Sequence, residues 1–152
     1  HNSSGVAAEE NSEIFDIIND KGSIIGQEKR SVVHANGLWH AAVYCFIFNS
    51  NKELLLQKRS LEKKVGPGQW DLSVAEHLSS GESYPTAVMR GLKEELGIEN
   101  VNPCDLMGPL TPRHQRSLQL HHIGIIDNEF VESYRLNNYD GAICYNNLEV
   151  SE

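Results

Sequence analysis

Glu76-His77-Leu78-Ser79-Ser80-Gly81-Glu82-Ser83-Tyr84-Pro85-Thr86-Ala87-Val88-Met89-Arg90-Gly91-Leu92-Lys93-Glu94-Glu95-Leu96-Gly97-Ile98 is the stretch whose reading decides this fold. It predicts a turn followed by a helix over Tyr84–Leu96. Ser83 is a suitable cap, Pro85 fits a first turn that needs no amide donor, and Gly97 ends the helix. Val88, Leu92 and Leu96 recur at i, i+4 and i+8, the spacing of one buried stripe. The other side carries Arg90, Lys93, Glu94 and Glu95, with Glu82 in the preceding turn. A Lys-Glu-Glu run alone is usually a solvated face. Adjacent carboxylates beside a turn also suit Mg²⁺, which takes a few carboxylates and keeps part of its water shell.

Upstream of that stretch the pattern is one of strands. Residues 1–12 are small, polar and acidic, and are expected to be disordered. Glu13–Ile18 and Ser23–Gln27 flank the turn sequence Asn19-Asp20-Lys21-Gly22 and read as a hairpin. Trp39–Phe48 is nearly unbroken apolar sequence, as in a strand buried on both faces. Glu53–Lys58 is expected to pair back, and Gly66-Pro67-Gly68 precedes a strand at about Trp70–His77. Downstream, Leu118–Ile126, Phe130–Leu136 and Ala142–Tyr145 are strand candidates. The expectation is a mixed α/β (α+β) chain with one well-marked helix, forming a single domain over residues 13–152.

The chain of 152 residues has 13 Lys and Arg against 21 Asp and Glu, a formal net charge of −8. That balance argues against a broad nucleic-acid surface but is compatible with a small anionic substrate recruited by a metal ion and a few local cations. Cys45, Cys104 and Cys144 form no CxxC pattern, and an odd cysteine would stay unpaired, so a cytoplasmic or other reducing compartment is expected. No stretch approaches the run of about eighteen apolar residues that marks a membrane span. The start has no charged-then-apolar signal pattern.

Glu82, Arg90, Leu92, Glu94, Glu95, Gly97 and Ile98 stand at the spacing of the Nudix box, G-x(5)-E-x(7)-R-E-U-x-E-E-x-G-U with U aliphatic. This segment resembles it at seven of nine fixed positions. The resemblance implies a Nudix-type mixed β-sheet domain with a loop–helix motif, hydrolysing diphosphates with Mg²⁺ or Mn²⁺. It departs at Glu76, where the box opens on glycine, and at Gly91, where it carries a glutamate that commonly helps bind metal or activate water. A helix-interior glycine also costs about 1 kcal/mol relative to alanine. On this reading Gly91→Glu is expected to add a third carboxylate beside Glu94 and Glu95, to speed Mg²⁺-dependent hydrolysis, and not to lose stability through helix propensity.

Lys58-Arg59-Ser60-Leu61-Glu62-Lys63-Lys64-Val65-Gly66-Pro67-Gly68-Gln69-Trp70 is similar to the basic segment and PGxW motif of type I isopentenyl-diphosphate isomerases. The likeness implies that Arg59 and Lys63 contact a diphosphate, a role suited to charge-assisted hydrogen bonds. His34, His40 and His77 resemble that family's metal-binding histidines, although the His34–His40 interval is one residue shorter. Imidazoles joined by a carboxylate such as Glu95 suit zinc, manganese and similar ions. Asp127-Asn128-Glu129 resembles the acidic segment that supplies a metal ligand and the acid–base glutamate, a role carried first to Glu129. The family usually continues beyond the region of Glu152 into a further strand and helix.

Isomerisation needs a proton delivered on one side of the carbon skeleton and removed on the other. The isomerases place a cysteine two residues before the histidine matching His77; Ala75 stands here and has no proton to exchange. The expected activity is therefore hydrolysis of a small diphosphate. Glu94 and Glu95 would hold the metal, Arg59 and Lys63 the phosphate, Glu82 and Arg90 would brace the loop, and Glu129 would activate water. An isomerase-like enzyme and a non-catalytic binding module are the alternatives.

Overall fold

The computed structural model describes residues 12–147 and 150–152. The segment expected to be disordered, residues 1–12, lies outside them except for Ser12. Strand β1 (Ile14–Ile18) pairs antiparallel with β2 (Ile24–Lys29). Gly22, at φ 81°, supplies the left-handed residue of the turn between them, and Asn19 Oδ1 accepts from the amides of Lys21 and Ser23.

The main sheet is mixed. Its centre is β3 (Trp39–Ile47), paired antiparallel with β6 (Val74–His77) and parallel with β9 (Ile125–Leu136). The short β7 (Leu106–Met107) and the longer β8 (His114–Leu120) both pair antiparallel with β9. A separate two-strand ladder joins β4 (Gln57–Lys58) to β5 (Trp70–Asp71). As the apolar run predicts, β3 is buried on both faces: Ala42, Val43, Cys45 and Ile47 are all nearly inaccessible. Burial pushes the Cys45 thiol up to about 12, so this cysteine packs as a small apolar group.

No periodicity marks residues 28–38, yet Arg30–Asn36 form helix α1, ended by Gly37 in the left-handed conformation at φ 64°. The long helix α2 (Tyr84–Leu96) has the predicted bounds. Ser83 Oγ accepts from the Thr86 amide at 3.3 Å, and Gly97 caps the C-terminus at φ 66°. Val88, Leu92 and Leu96 are buried against Val43, Val74 and Phe130 in the principal core. Leu92→Ala is expected to cost about 2–5 kcal/mol through the cavity it leaves, read as a lower urea midpoint. A loss under about 1 kcal/mol would remove this stripe from the core.

Four strand expectations are corrected. The strand expected at about Trp70–His77 is two, β5 and β6, in separate ladders and parted at Leu72 and Ser73. Glu53–Lys58 contributes only the Phe48–Leu54 bridge and the two residues of β4. Leu118–Ile126 contains a turn: β8 ends at Leu120, and Gly124 at φ 69° reverses the chain into β9. Residues 142–145 form no strand, because their segment serves the end of α2 instead. The Cys144 and Asn146 amides donate to the Leu96 and Glu95 carbonyls, supplying partners that a helix terminus lacks.

Candidate active site

Alternation along strands places the side chains of successive residues on opposite faces. Register therefore puts His40 of β3 beside Glu129 of β9, and Ala42 of β3 beside His77 of β6. Asp127 shares the Glu129 face. Helix α1, ending close by, adds His34. His34, His40, His77 and Asp127 each offer one ligand atom, and these atoms lie within 4.8 Å of one another. Asp127 Oδ1 stands 3.4, 3.1 and 3.6 Å from the Nε2 atoms of His34, His40 and His77.

His40 is fully buried, and its Nδ1 lies 2.9 Å from the Leu38 carbonyl oxygen. A carbonyl only accepts, so Nδ1 carries the proton and Nε2 turns its lone pair to the cluster. His34 Nε2, His40 Nε2 and Asp127 Oδ1 are buried and make no hydrogen bond among the described residues. Buried polar atoms without partners are costly. A divalent ion at their common focus would satisfy all three, so the residues present fit a metal. Burial pulls the His34 pKa down, keeping the neutral form that ligation requires. Burial alone would raise the Asp127 pKa, but the three imidazoles outweigh it and hold the carboxyl well below its ordinary range.

Glu129 flanks this cluster. Its Oε2 lies 3.0 Å from His77 Nε2 and its Oε1 accepts from Arg116 Nη1 at 3.0 Å. Burial opposes its charge, yet His77 leaves its pKa lowered overall. For His77 burial acts downward, while Asp127 and Glu129 carry it up to about 9. Phe15 of β1 stacks on the His40 ring at 5.3 Å between centroids and 12° between planes, closing the cluster from the hairpin side.

The carboxylates of α2 lie on the other face of β6. Arg90 is their hub. Its Nε and Nη2 each donate to Glu82 at 3.0 Å, its Nη1 donates to Glu76 at 3.0 Å and to Glu94 at 3.4 Å, and Nη2 also donates to the His77 carbonyl at 2.7 Å. The loop before the helix is further tied to β1, since Ser80 Oγ and the Gly81 amide donate to Asp16. Glu95 is only 6% exposed and accepts from Gln57 Nε2 at 3.1 Å. Gln57 also donates to the Ser73 carbonyl, which fixes its amide. Arg59, two residues further along, spends its guanidinium on Asp71 Oδ2 at 3.1 Å and the Val65 carbonyl at 2.9 Å. Lys63 sits half-exposed on the turn that Arg59 straps down.

The structure thus brings the three histidines together with Glu129 on one face of β6, and Glu82, Arg90, Glu94 and Glu95 on the other. Arg59 and Lys63 occupy the loop reached through Gln57. The sequence singles out Glu129 ahead of Asp127, although the Asp-x-Glu spacing itself puts both on one strand face. Gln57 and Arg116 left no such signal. Tyr44 stands beside Ala75 across the β3–β6 pair; burial first, then Glu129, pushes its phenol pKa up.

Gly91 corrects an expectation. It is buried against β6, and a Cβ there would stand 2.6 Å from Val74 Cγ1 and 2.7 Å from Glu76 Cγ. Gly91→Glu therefore does not simply add a third carboxylate; it crowds the helix–strand contact.

Residues 38–138 match the NUDIX domain family model, and the chain belongs to the Nudix family. It is 36% identical over 135 residues to an uncharacterized Nudix hydrolase of Nostoc sp., covering 82% of this chain and 80% of that one. It is also 32% identical over 141 residues to an isopentenyl-diphosphate Delta-isomerase of Paenarthrobacter aurescens, covering 92% of this chain and 73% of that one. Among solved structures, the Deinococcus radiodurans protein DR0079 superposes with a TM-score of 0.65 at 26% identity, covering 91% of this chain and 80% of the other.

Proposed function

We propose that this protein hydrolyses the P–O–P linkage of a small organic diphosphate with the help of divalent cations. The observation that carries the reading is the convergence of His34, His40, His77 and Asp127 beside Glu129 within a Nudix fold. These four residues would hold an ion such as Mn²⁺, and Glu94 with Glu95 a Mg²⁺ ion on the helix side. A bound divalent ion neutralises phosphate oxygens and lowers the pKa of water.

The chain's own residues supply the rest. Glu129, oriented by His77 and Arg116, accepts a proton from the attacking water. Arg90 clamps Glu82 and Glu94 and reaches the strand at His77, so it holds the loop and helix in one geometry. Arg59 and Lys63 bind phosphate oxygens, which requires Arg59 to exchange Asp71 for the substrate.

Arg59→Ala is expected to raise KM by roughly tenfold or more, the loss of a charge-assisted contact of about 1.5–3 kcal/mol. Its Asp71 and Val65 contacts also predict a small fall in Tm. A fall in Tm with KM unchanged would make Arg59 a loop brace only.

An isoprenoid-diphosphate isomerase is the second reading, favoured by the relatives of that name, since the imidazole cluster is common to both. Ala75 weighs against it: its methyl lies on the His77 face and exchanges no proton. Phosphate release should be assayed with Mg²⁺ and Mn²⁺ over nucleoside, sugar, isoprenoid and cofactor diphosphates, with isoprenoid products also analysed for double-bond position. Metal-dependent release supports hydrolysis. A shifted double bond without release establishes the isomerase, and ligand binding without either reaction establishes a binding module.

A further inference from the structure

Arg59, Arg90 and Arg116 stand around the site and spend their donors unequally. Arg90 commits Nε, Nη1 and Nη2, and Arg59 commits Nε and Nη1. Arg116 donates through Nη1 to Glu129 Oε1 at 3.0 Å and makes no second hydrogen bond among the described residues. A guanidinium carries five N–H donors in a rigid fork, so most of this one is unspent. Its side chain is 41% exposed, against 5% for the Glu129 side chain it holds. The carboxylate is nearly closed off, while the cation bonded to it can be reached from solvent. Arg116 of β8 stands directly opposite Glu129 of β9, and directly opposed residues share a sheet face. His40 and Asp127 lie on that face, as does Tyr44, two strands away on β3. Burial works against the Arg116 charge, yet Tyr44 and then Glu129 leave its pKa raised. Burial is also the first cause raising the Tyr44 pKa, and Glu129, Arg116 and Asp71, the partner of Arg59, act on the same phenol. The Arg116 guanidinium thus reaches over β9 toward the middle of the face, where Tyr44 lies in the field of both arginine–carboxylate pairs.

Resting on the hydrolase reading above, we propose that Arg116 is a substrate-binding residue: one N–H of its guanidinium holds Glu129, and the others receive oxygens of the phosphoryl group under attack. A planar cation bonded at once to base and phosphate fixes the distance between them. Water then adds through its oxygen to phosphorus, its proton passes to Glu129, and the bridging oxygen leaves with the electron pair of the broken P–O bond. Arg116 exchanges no proton. It faces the negative charge on the phosphoryl oxygens as that bond breaks. Arg59 and Lys63 grip the diphosphate from the loop between β4 and β5, so separate cations hold its two phosphoryl groups.

The test is a calorimetric titration with methylenediphosphonate, a diphosphate analogue whose P–C–P bridge resists hydrolysis, in excess Mn²⁺. Wild type, Arg116→Gln, Arg116→Lys and Arg113→Gln are compared, with Tm and diphosphate turnover read on the same proteins. Arg116→Gln should bind the analogue about tenfold more weakly or worse, the loss of a charge-assisted contact, with its Tm near wild type. Arg116→Lys keeps a point charge without the fork and should fall between the two. Arg113→Gln removes the same charge from an arginine that lies over Phe130, on the opposite face of β9, and should bind the analogue as wild type does. An Arg116 that only orients Glu129 predicts a lower kcat in Arg116→Gln with the analogue's affinity unchanged, and that result would overturn the proposal. So would equal weakening in Arg113→Gln, the mark of a general charge effect, or a wild type that does not bind the analogue. If binding follows the expected order but no diphosphate is cleaved, the hydrolase reading falls and Arg116 stands as a phosphate anchor.

Discussion

Alanine in place of His40 is expected to abolish tight Mn²⁺ binding and to lower turnover by about a hundredfold or more, beyond the range that loss of an outer-sphere partner produces. The ring is fully buried, its Nδ1 is committed to the Leu38 carbonyl, and its Nε2 is one of the donors surrounding Asp127. Nothing else on β3 can take its place, because the neighbour on the same face is Ala42. The stacking partner Phe15 also loses its contact, so a lower Tm is expected as well. His40→Gln retains much of the volume and separates the two effects: it should lose Mn²⁺ with a smaller change in Tm. Calorimetric Mn²⁺ affinity within about threefold of wild type in both variants would remove the imidazole cluster as a metal centre.

Glu95→Gln is the second large effect and tests the other face. The amide oxygen can still accept from Gln57, and the side chain keeps its shape in a nearly closed site, so the fold should persist. What is lost is the negative charge that a hard divalent cation requires. Turnover at saturating substrate is expected to fall by about a hundredfold or more, in line with removal of a group stabilising metal and transition-state charge. Unaltered turnover, measured beside an unaltered circular dichroism spectrum, would show that the helix carboxylates take no part in the chemistry.

The helix was legible because its signals are local: Ser83, Pro85 and Gly97 act through their own backbone, and Val88, Leu92 and Leu96 through spacing alone. The strand β3 was legible for its apolar length. Helix α1 was not, since its first residue has no side-chain cap and its seven residues bury only Val33 and His34. It exists because β1 and β9 pack against it and Gly37 turns the chain. That geometry also brings His34 to His40 despite the shortened interval between them. Ala142–Tyr145 read as a strand by composition, whereas its amides are drawn to the end of α2. Among the candidate site residues, the histidines and Glu129 could be named from a resemblance, but their convergence with Asp127 depends on the parallel β3–β9 register. The close approach of Gly91 to Glu76 and Val74 is purely tertiary, and no helix propensity could disclose it.

Strand β6 carries its two duties on alternate residues: Ala75 and His77 face the imidazole cluster, while Val74 and Glu76 face the helix. Its pairing of His77 with Ala42 therefore constrains more than the hydrogen-bond ladder. A slip of one residue along β3, or one inserted residue within β6, inverts the strand's faces together. His77 would be driven into the apolar seam under α2, and Glu76 would be delivered among the imidazoles. Two partial defects cannot arise separately from such a change; both faces fail at once. Length variation within β6 is accordingly tolerable only in steps of two.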